Sequence, residues 1–171
     1  MASITEQVVK SRALAVALLL CTLGITALAH EPAKHARKSL AVQKEQKAWG
    51  IAGDAKGVTR TIRITMGDNM RFAPDTVDVK QGDVVKFIVG NGGKLMHEMV
   101  IGTKAELDQH AALMAKHPGM EHDEPYMAHV SPGKKENLVW NFNRAGEFDF
   151  ACLVPGHYEA GMRGKIRVAA R

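Results

Sequence analysis

The chain has 171 residues, which is enough for one domain built around one hydrophobic core. Its 23 Lys and Arg exceed its 18 Asp and Glu, but charges of both signs are interspersed, and no basic stripe with interleaved aromatic residues occurs. This pattern argues against nucleic acid as a partner. The eight histidines and nine methionines are a large supply of imidazole and thioether groups for so short a chain.

The first 29 residues have the pattern of a signal peptide. A basic start precedes the apolar run 13–20, and the segment ends in Ala27-Leu-Ala29, a small-x-small cleavage pattern. The apolar run is shorter than the roughly 20 residues that a membrane-spanning helix needs. We therefore expect cleavage after Ala29, export to the periplasm and no stable membrane anchor. A retained anchor is the alternative.

Residues 30–57 are polar and rich in glycine toward their end, which predicts a flexible N-terminal tail. Cleavage after Ala29 would make His30 the new N-terminus, and its amine and imidazole would then form a chelating pair. A polar tail that binds nothing specific is the alternative. The folded domain is predicted over residues 58–171.

From residue 58 the pattern is that of strands. Alternating or short continuous apolar runs, separated by glycine-rich turns, predict strands at 59–66, 76–79, 84–89, 96–101, 137–142, 147–153 and 164–169. Many short strands at this spacing indicate an all-β sandwich or barrel.

One insertion, residues 104–129, interrupts the strands. Residues 104–116 are predicted to be helical, because Thr103 followed by Glu106 forms a capping-box pattern and Pro118 with the next glycine ends the run.

The insertion also carries candidate metal ligands. His110, Met114 and His117 fall at i, i+4 and i+7 and share one helix face, and His122 follows in the loop. Imidazole and thioether groups suit copper, so these four residues are candidates for a second copper site. The alternative is that Met114 packs on the sandwich while the histidines are solvated.

The strongest motif lies near the C-terminus. Cys152, His157 and Met162 follow one another with four residues in each gap, so one loop can wrap all three around a single ion. His97 is a fourth candidate upstream. Two His, one Cys and a weak axial Met form the ligand set of a blue-copper centre. Cys21 lies in the predicted signal peptide, so export would leave Cys152 as the single cysteine, and metal ligation would protect its thiol.

The run 150–168 resembles the C-terminal signature of the cupredoxins, the group of plastocyanin, azurin and rusticyanin. Segments 68–74 and 77–84 are similar to their early strands. The resemblance covers roughly residues 59–169 and implies a Greek-key β-sandwich with the metal near one end. It also implies that His97, Cys152 and His157 are the in-plane ligands and that Met162 is the axial ligand. The histidine-rich insertion resembles that of periplasmic cupredoxins linked to copper tolerance.

Two features depart from the family pattern. In several of these proteins an Asn follows the first ligand His and ties the two ligand loops together, whereas here Glu98 follows His97. This departure puts the loop tie in doubt and predicts a carboxylate near the copper. The insertion 104–129 is also longer than a simple electron carrier needs.

Two functions follow from these observations. The first is a periplasmic type 1 copper protein that carries single electrons through a Cu⁺/Cu²⁺ site to a redox partner protein. The second is a copper-tolerance protein that holds or delivers copper to a copper-handling protein and binds a second ion. We expect a monomer. We also expect no enzymatic activity, because a type 1 site leaves no open position for a substrate and no His-x-His pair is present.

Overall fold

The structure, a computed structural model, describes residues 44–118, 120 and 122–171. Within these residues it contains one α-helix, α1 (Lys104–Lys116), and ten strands. The strands are β1 (Ile51–Ala52), β2 (Arg60–Gly67), β3 (Arg71–Ala73), β4 (Thr76–Lys80), β5 (Val84–Asn91), β6 (His97–Gly102), β7 (Met127–Val130), β8 (Lys135–Asn141), β9 (Gly146–Ala151) and β10 (Arg163–Ala169).

The strands form two five-stranded sheets. The strand order is β1-β8-β5-β2-β3 in one sheet and β4-β10-β9-β6-β7 in the other. The pairs β2–β5 and β4–β10 are parallel, and the other pairs are antiparallel. The predicted all-β sandwich with one helical insertion is confirmed.

The core lies between the two sheets because side chains alternate along each strand. In β5, Val85, Phe87 and Val89 are buried while the residues between them are partly exposed. Phe150 and Ile166 belong to the same core cluster from the other sheet. The cluster therefore joins both sheets into one hydrophobic core.

Strand β6 is buried on both faces, and this feature positions the candidate site. Met99 and Ile101 belong to the main core, whereas Val100 joins a second apolar cluster with Leu107 and Ala111 of α1. Helix α1 thus covers the face of β6 that would otherwise meet solvent. His97, the first residue of the strand, is fully buried as well.

The observed strands agree with the predicted ones to within about two residues, but β1, β3 and β7 were not predicted. Strand β7 lies inside the segment 104–129 that we assigned to the insertion. Its residues pair with β6, with Glu98 opposite His129. The end of the insertion is therefore part of the second sheet.

The sandwich also begins earlier than the predicted boundary at residue 58. Trp49 and Ala52 are buried in the main core, and the indole N–H of Trp140 donates to the Trp49 carbonyl at 2.9 Å. Gly50 lies so close to β8 that a Cβ there would stand 2.3 Å from the Asn141 carbonyl oxygen. These contacts hold residues 49–52 against the sheet, so this part of the predicted tail belongs to the domain.

The predicted signal peptide at 1–29, and residues 30–43 with His30, lie outside the described residues. Among the residues that the structure describes, no helix has the length and apolar character needed to cross a membrane.

Candidate metal centre

Three of the four predicted ligands converge at one end of the sandwich. The ligand atoms of His97, Cys152 and His157 all lie within 4.8 Å of one another. Cys152 Sγ is 3.4 Å from His157 Nδ1, and the two imidazole rings have centroids 4.9 Å apart. Two imidazoles and a thiol from distant parts of the chain therefore share one small space.

The loop after β9 brings Cys152, His157 and Met162 together through its own backbone. The His157 N–H donates to the Val154 carbonyl at 2.9 Å, and the Met162 N–H donates to the His157 carbonyl at 3.0 Å. The Cys152 N–H then donates to the Met162 carbonyl at 3.1 Å. Gly156, with φ of 87°, supplies a left-handed residue that the turn requires.

Met162 is the last residue of this loop, directly before β10. Its side chain is fully buried in the same core cluster as Cys152. The backbone hydrogen bond between the two residues brings Met162 to the segment that carries Cys152. The structure therefore brings all four predicted ligands to the same end of the molecule.

Asp68 fixes the orientation of the His97 ring. His97 Nε2 lies 3.1 Å from Asp68 Oδ1, whereas the buried His97 Nδ1 has no hydrogen-bond partner. A proton on Nε2, donated to the carboxylate, leaves the lone pair of Nδ1 free for a metal ion. Backbone N–H groups of Lys94 and Leu95 also bind the Asp68 carboxylate and, with His97, hold its pKa below its usual range. Sequence reasoning missed Asp68, which lies 29 residues before His97.

Cys152 is a buried thiol that needs a positive partner to ionise. Burial raises its pKa to about 12, although the Glu98 backbone N–H points to Sγ at 3.4 Å. A bound metal ion would therefore displace the thiol proton. A buried, unpartnered imidazole nitrogen beside a buried thiol and a second imidazole fits a copper ion.

Glu98 makes the loop tie that its presence had put in doubt. Its Oε1 accepts from the Leu153 N–H at 2.9 Å, so the carboxylate joins β6 to the loop carrying Cys152. Its Oε2 lies 2.9 Å from His129 Nδ1, and this hydrogen bond raises the pKa of His129 above its usual value. The tie between the two loops is kept because a carboxylate oxygen, like an amide oxygen, can accept a hydrogen bond from a backbone N–H.

Of the four residues predicted for a second site, the structure brings two together and places the other two elsewhere. The rings of His110 and His122 have centroids 4.6 Å apart. Met114 instead packs in the apolar cluster under α1, and His117 is exposed at the end of the helix. The helix face that carries Met114 turns toward the sandwich, so the spacing along the helix did not produce a shared site.

Comparison with known proteins agrees with this geometry. Residues 58–169 match the family of copper binding proteins, plastocyanin/azurin family. A copper-resistant cuproprotein CopI of Rubrivivax gelatinosus is 48% identical over 120 residues, covering 70% of this chain and 73% of that protein. The CopI of Vibrio cholerae is 36% identical, covering 70% of this chain and 71% of that protein.

Solved structures show the same fold. An auracyanin from Roseiflexus castenholzii is 22% identical with a TM-score of 0.57, covering 66% of this chain and 99% of that one. Auracyanin A of Chloroflexus aurantiacus, a blue copper protein, is also 22% identical with a TM-score of 0.55, covering 63% and 97%. With the family match over residues 58–169, the chain belongs to the plastocyanin/azurin family of copper-binding proteins, the cupredoxins.

Proposed function

We propose that this protein acts in copper tolerance as an exported, periplasmic type 1 copper protein. His97, Cys152, His157 and Met162 would hold the ion. The convergence of three donor atoms within 4.8 Å, two of them on fully buried residues, carries the proposal. The names of the related copper-resistant cuproproteins support the tolerance role.

Bound copper would supply a one-electron couple between Cu⁺ and Cu²⁺. The protein itself supplies a fixed frame for that ion. Asp68 orients one imidazole, and the Glu98 backbone N–H reaches the sulfur of Cys152. Burial of Cys152 and Met162 keeps bulk water away from the two sulfur atoms.

Single-electron carriage is a second candidate function, and a surface feature favours it. His157 is the one member of the proposed ligand set that is partly exposed. Leu95 and Met96, which directly precede His97, are 47% and 46% exposed. An apolar surface next to a ligand imidazole is suited to brief docking of a redox partner.

Other features of the proposal rest on the sequence. The signal-peptide pattern at 1–29 supports a periplasmic location. We assign no enzymatic reaction, because four protein ligands leave the ion without an open position. A monomer that meets a redox partner or a copper-handling protein fits this assignment.

The ligand assignment is tested by copper content and visible absorption. We expect Cys152→Ser to lose the intense thiolate-to-copper band, because the band requires the sulfur. Met162→Leu should keep both copper and the band, since a thioether would be the weakest of the four donors and the thiolate remains. Met99→Leu, a change at a buried core methionine, is the matched control. A coloured Cys152→Ser variant would refute the assignment.

Growth separates the two candidate functions. A host lacking the gene should regain copper tolerance with the wild-type chain and not with Cys152→Ser. The double variant Leu95→Ser with Met96→Ser should leave tolerance intact if the protein only binds copper and passes no electrons to a partner. Loss of tolerance in this double variant, with copper still bound, would favour electron carriage.

A further inference from the structure

A second histidine pair lies outside the centre described above, between helix α1 and the segment before β7. The rings of His110 and His122 have centroids 4.6 Å apart and are tilted by 44°. The corresponding values for His97 and His157 are 4.9 Å and 48°. The second pair therefore has nearly the same ring separation and tilt as the pair in the cupredoxin centre.

The two pairs share another feature. Among the described residues, two histidine nitrogens are buried without a hydrogen-bond partner, namely Nδ1 of His97 and Nδ1 of His122. A buried imidazole nitrogen without a partner is costly unless a ligand completes it. The His122 carbonyl lies 2.9 Å from His129 Nε2, which holds the backbone of His122 in place.

The two imidazoles of the pair can offer nitrogen lone pairs to a cation. A neutral imidazole keeps a lone pair for a metal ion. His129 is not available as a ligand in this arrangement, because Glu98 and the His122 carbonyl engage both of its ring nitrogens.

A cavity of about 370 Å³ opens at this pair. Its lining includes His110, His122 and the side chain of Met120, which is 39% exposed. Two imidazoles with a thioether form a soft ligand set that favours Cu⁺ over hard cations. Glu106 also lines the cavity and adds a negative charge.

We propose that a second copper ion, as Cu⁺, binds between His110 and His122 with the thioether of Met120 as a third ligand. The site goes beyond the proposed function, because the first centre is complete without it. Its residues are partly exposed, whereas His97, Cys152 and Met162 are fully buried. The second ion is therefore the exchangeable one, held where a partner can deliver or remove it.

Titration of the full chain with Cu⁺, in competition with a chromophoric Cu⁺ chelator and without oxygen, tests the proposal. We expect His110→Ala with His122→Ala to bind one Cu⁺ fewer per chain than the wild type. His117→Ala, at an exposed histidine of the same helix, is the matched control and should bind as many ions as the wild type. Equal stoichiometry and affinity in the double variant, or the same loss in His117→Ala, would overturn the proposal.

Two further measurements keep the result independent of folding and of the first centre. The Cu²⁺ visible band should be unchanged in the double variant, whereas Cys152→Ser should lose the band and keep the second ion. Met120→Leu, at an exposed position, should weaken the affinity for the second ion at least tenfold. Anomalous scattering from Cu⁺-soaked crystals should show a peak between His110 and His122, and a peak at the first centre alone would refute the site.

Discussion

Glu98 is a charged side chain in a nearly fully buried position. Burying a carboxylate is costly unless hydrogen bonds and a positive group offset the lost hydration. Here the Leu153 N–H binds one oxygen and His129 binds the other, so both oxygens are engaged. The same residue therefore joins the strand of His97 to the loop of Cys152.

This arrangement predicts different outcomes for two substitutions at Glu98. Glu98→Ala leaves the buried Leu153 N–H without an acceptor and should lower the free energy of unfolding by about 1–3 kcal/mol. Glu98→Gln keeps an acceptor oxygen for that N–H and should be clearly less destabilising. Urea denaturation of the copper-free protein measures both values. Equal losses in the two variants would show that the hydrogen bond to Leu153 does not stabilise the loop.

The candidate ligands differ in how far the sequence could predict them. Cys152, His157 and Met162 lie in one short loop, so their spacing alone indicates a shared ion. His97 lies in a separate strand, and its role as a ligand was predicted from the family resemblance. Asp68 could not be predicted, because its contact with His97 exists only after a turn and a distant strand have come together. The identity of a ligand residue can be read from its neighbours in the sequence. The carboxylate that orients the ligand is known only from the tertiary structure.

Helix α1 links the insertion to the metal-binding loop. Leu107, Ala111 and Met114 pack on the outer face of β6. In the same cluster the buried Tyr158 donates its hydroxyl hydrogen to Asp108 of the helix, and Tyr158 directly follows His157. The helix therefore supports both β6 and the loop that carries the second imidazole.

The start of α1 depends on a capping box. Thr103 accepts from the Glu106 backbone N–H, and the Glu106 carboxylate binds the Thr103 backbone N–H in return. Thr103→Ala should lower the free energy of unfolding by about 1 kcal/mol, because one N–H at the helix start loses its acceptor. Thr103→Ser keeps a hydroxyl and should be nearly neutral. Thermal unfolding measures both, and a Ser variant as unstable as the Ala variant would rule out the cap.

Elements with local signals were predictable, and those without them were not. The helix was predicted over its observed range because its cap and its ending Pro118 lie beside it in the sequence. Strands β1 and β3 have two and three residues, too few to show a period. Strand β7 follows the histidine-rich loop, and its pairing with β6 is visible only in the folded chain.

At the scale of the whole molecule, the first hydrophobic residues of the sandwich lie outside the family match. Trp49 packs in the main core, edge-on to the ring of Tyr126, although the match begins at residue 58. Composition alone assigned this region to a tail because glycines and charges surround Trp49. A single buried indole can hold a segment whose average composition indicates disorder.

The first centre also joins parts of the molecule that unfolding would separate. His97 begins β6, whereas Cys152 and His157 follow β9, far along the chain. An ion that binds the folded arrangement and not the unfolded chain stabilises the fold by mass action, by about 2.7 kcal/mol when its free concentration is 100 times the dissociation constant. Removal of copper should therefore lower the midpoint of thermal unfolding.

This linkage is best measured in chains that also carry His110→Ala and His122→Ala, so that only the first centre contributes. One equivalent of Cu⁺ should raise the unfolding midpoint of that chain, and the rise should be much smaller once Cys152→Ser is added, because only two imidazoles and a thioether then remain. The serine hydroxyl is a hard, neutral donor and does not replace a thiolate for Cu⁺. An equal rise with and without Cys152→Ser would mean that the sulfur of Cys152 does not contribute to Cu⁺ binding and that the ligand assignment is wrong.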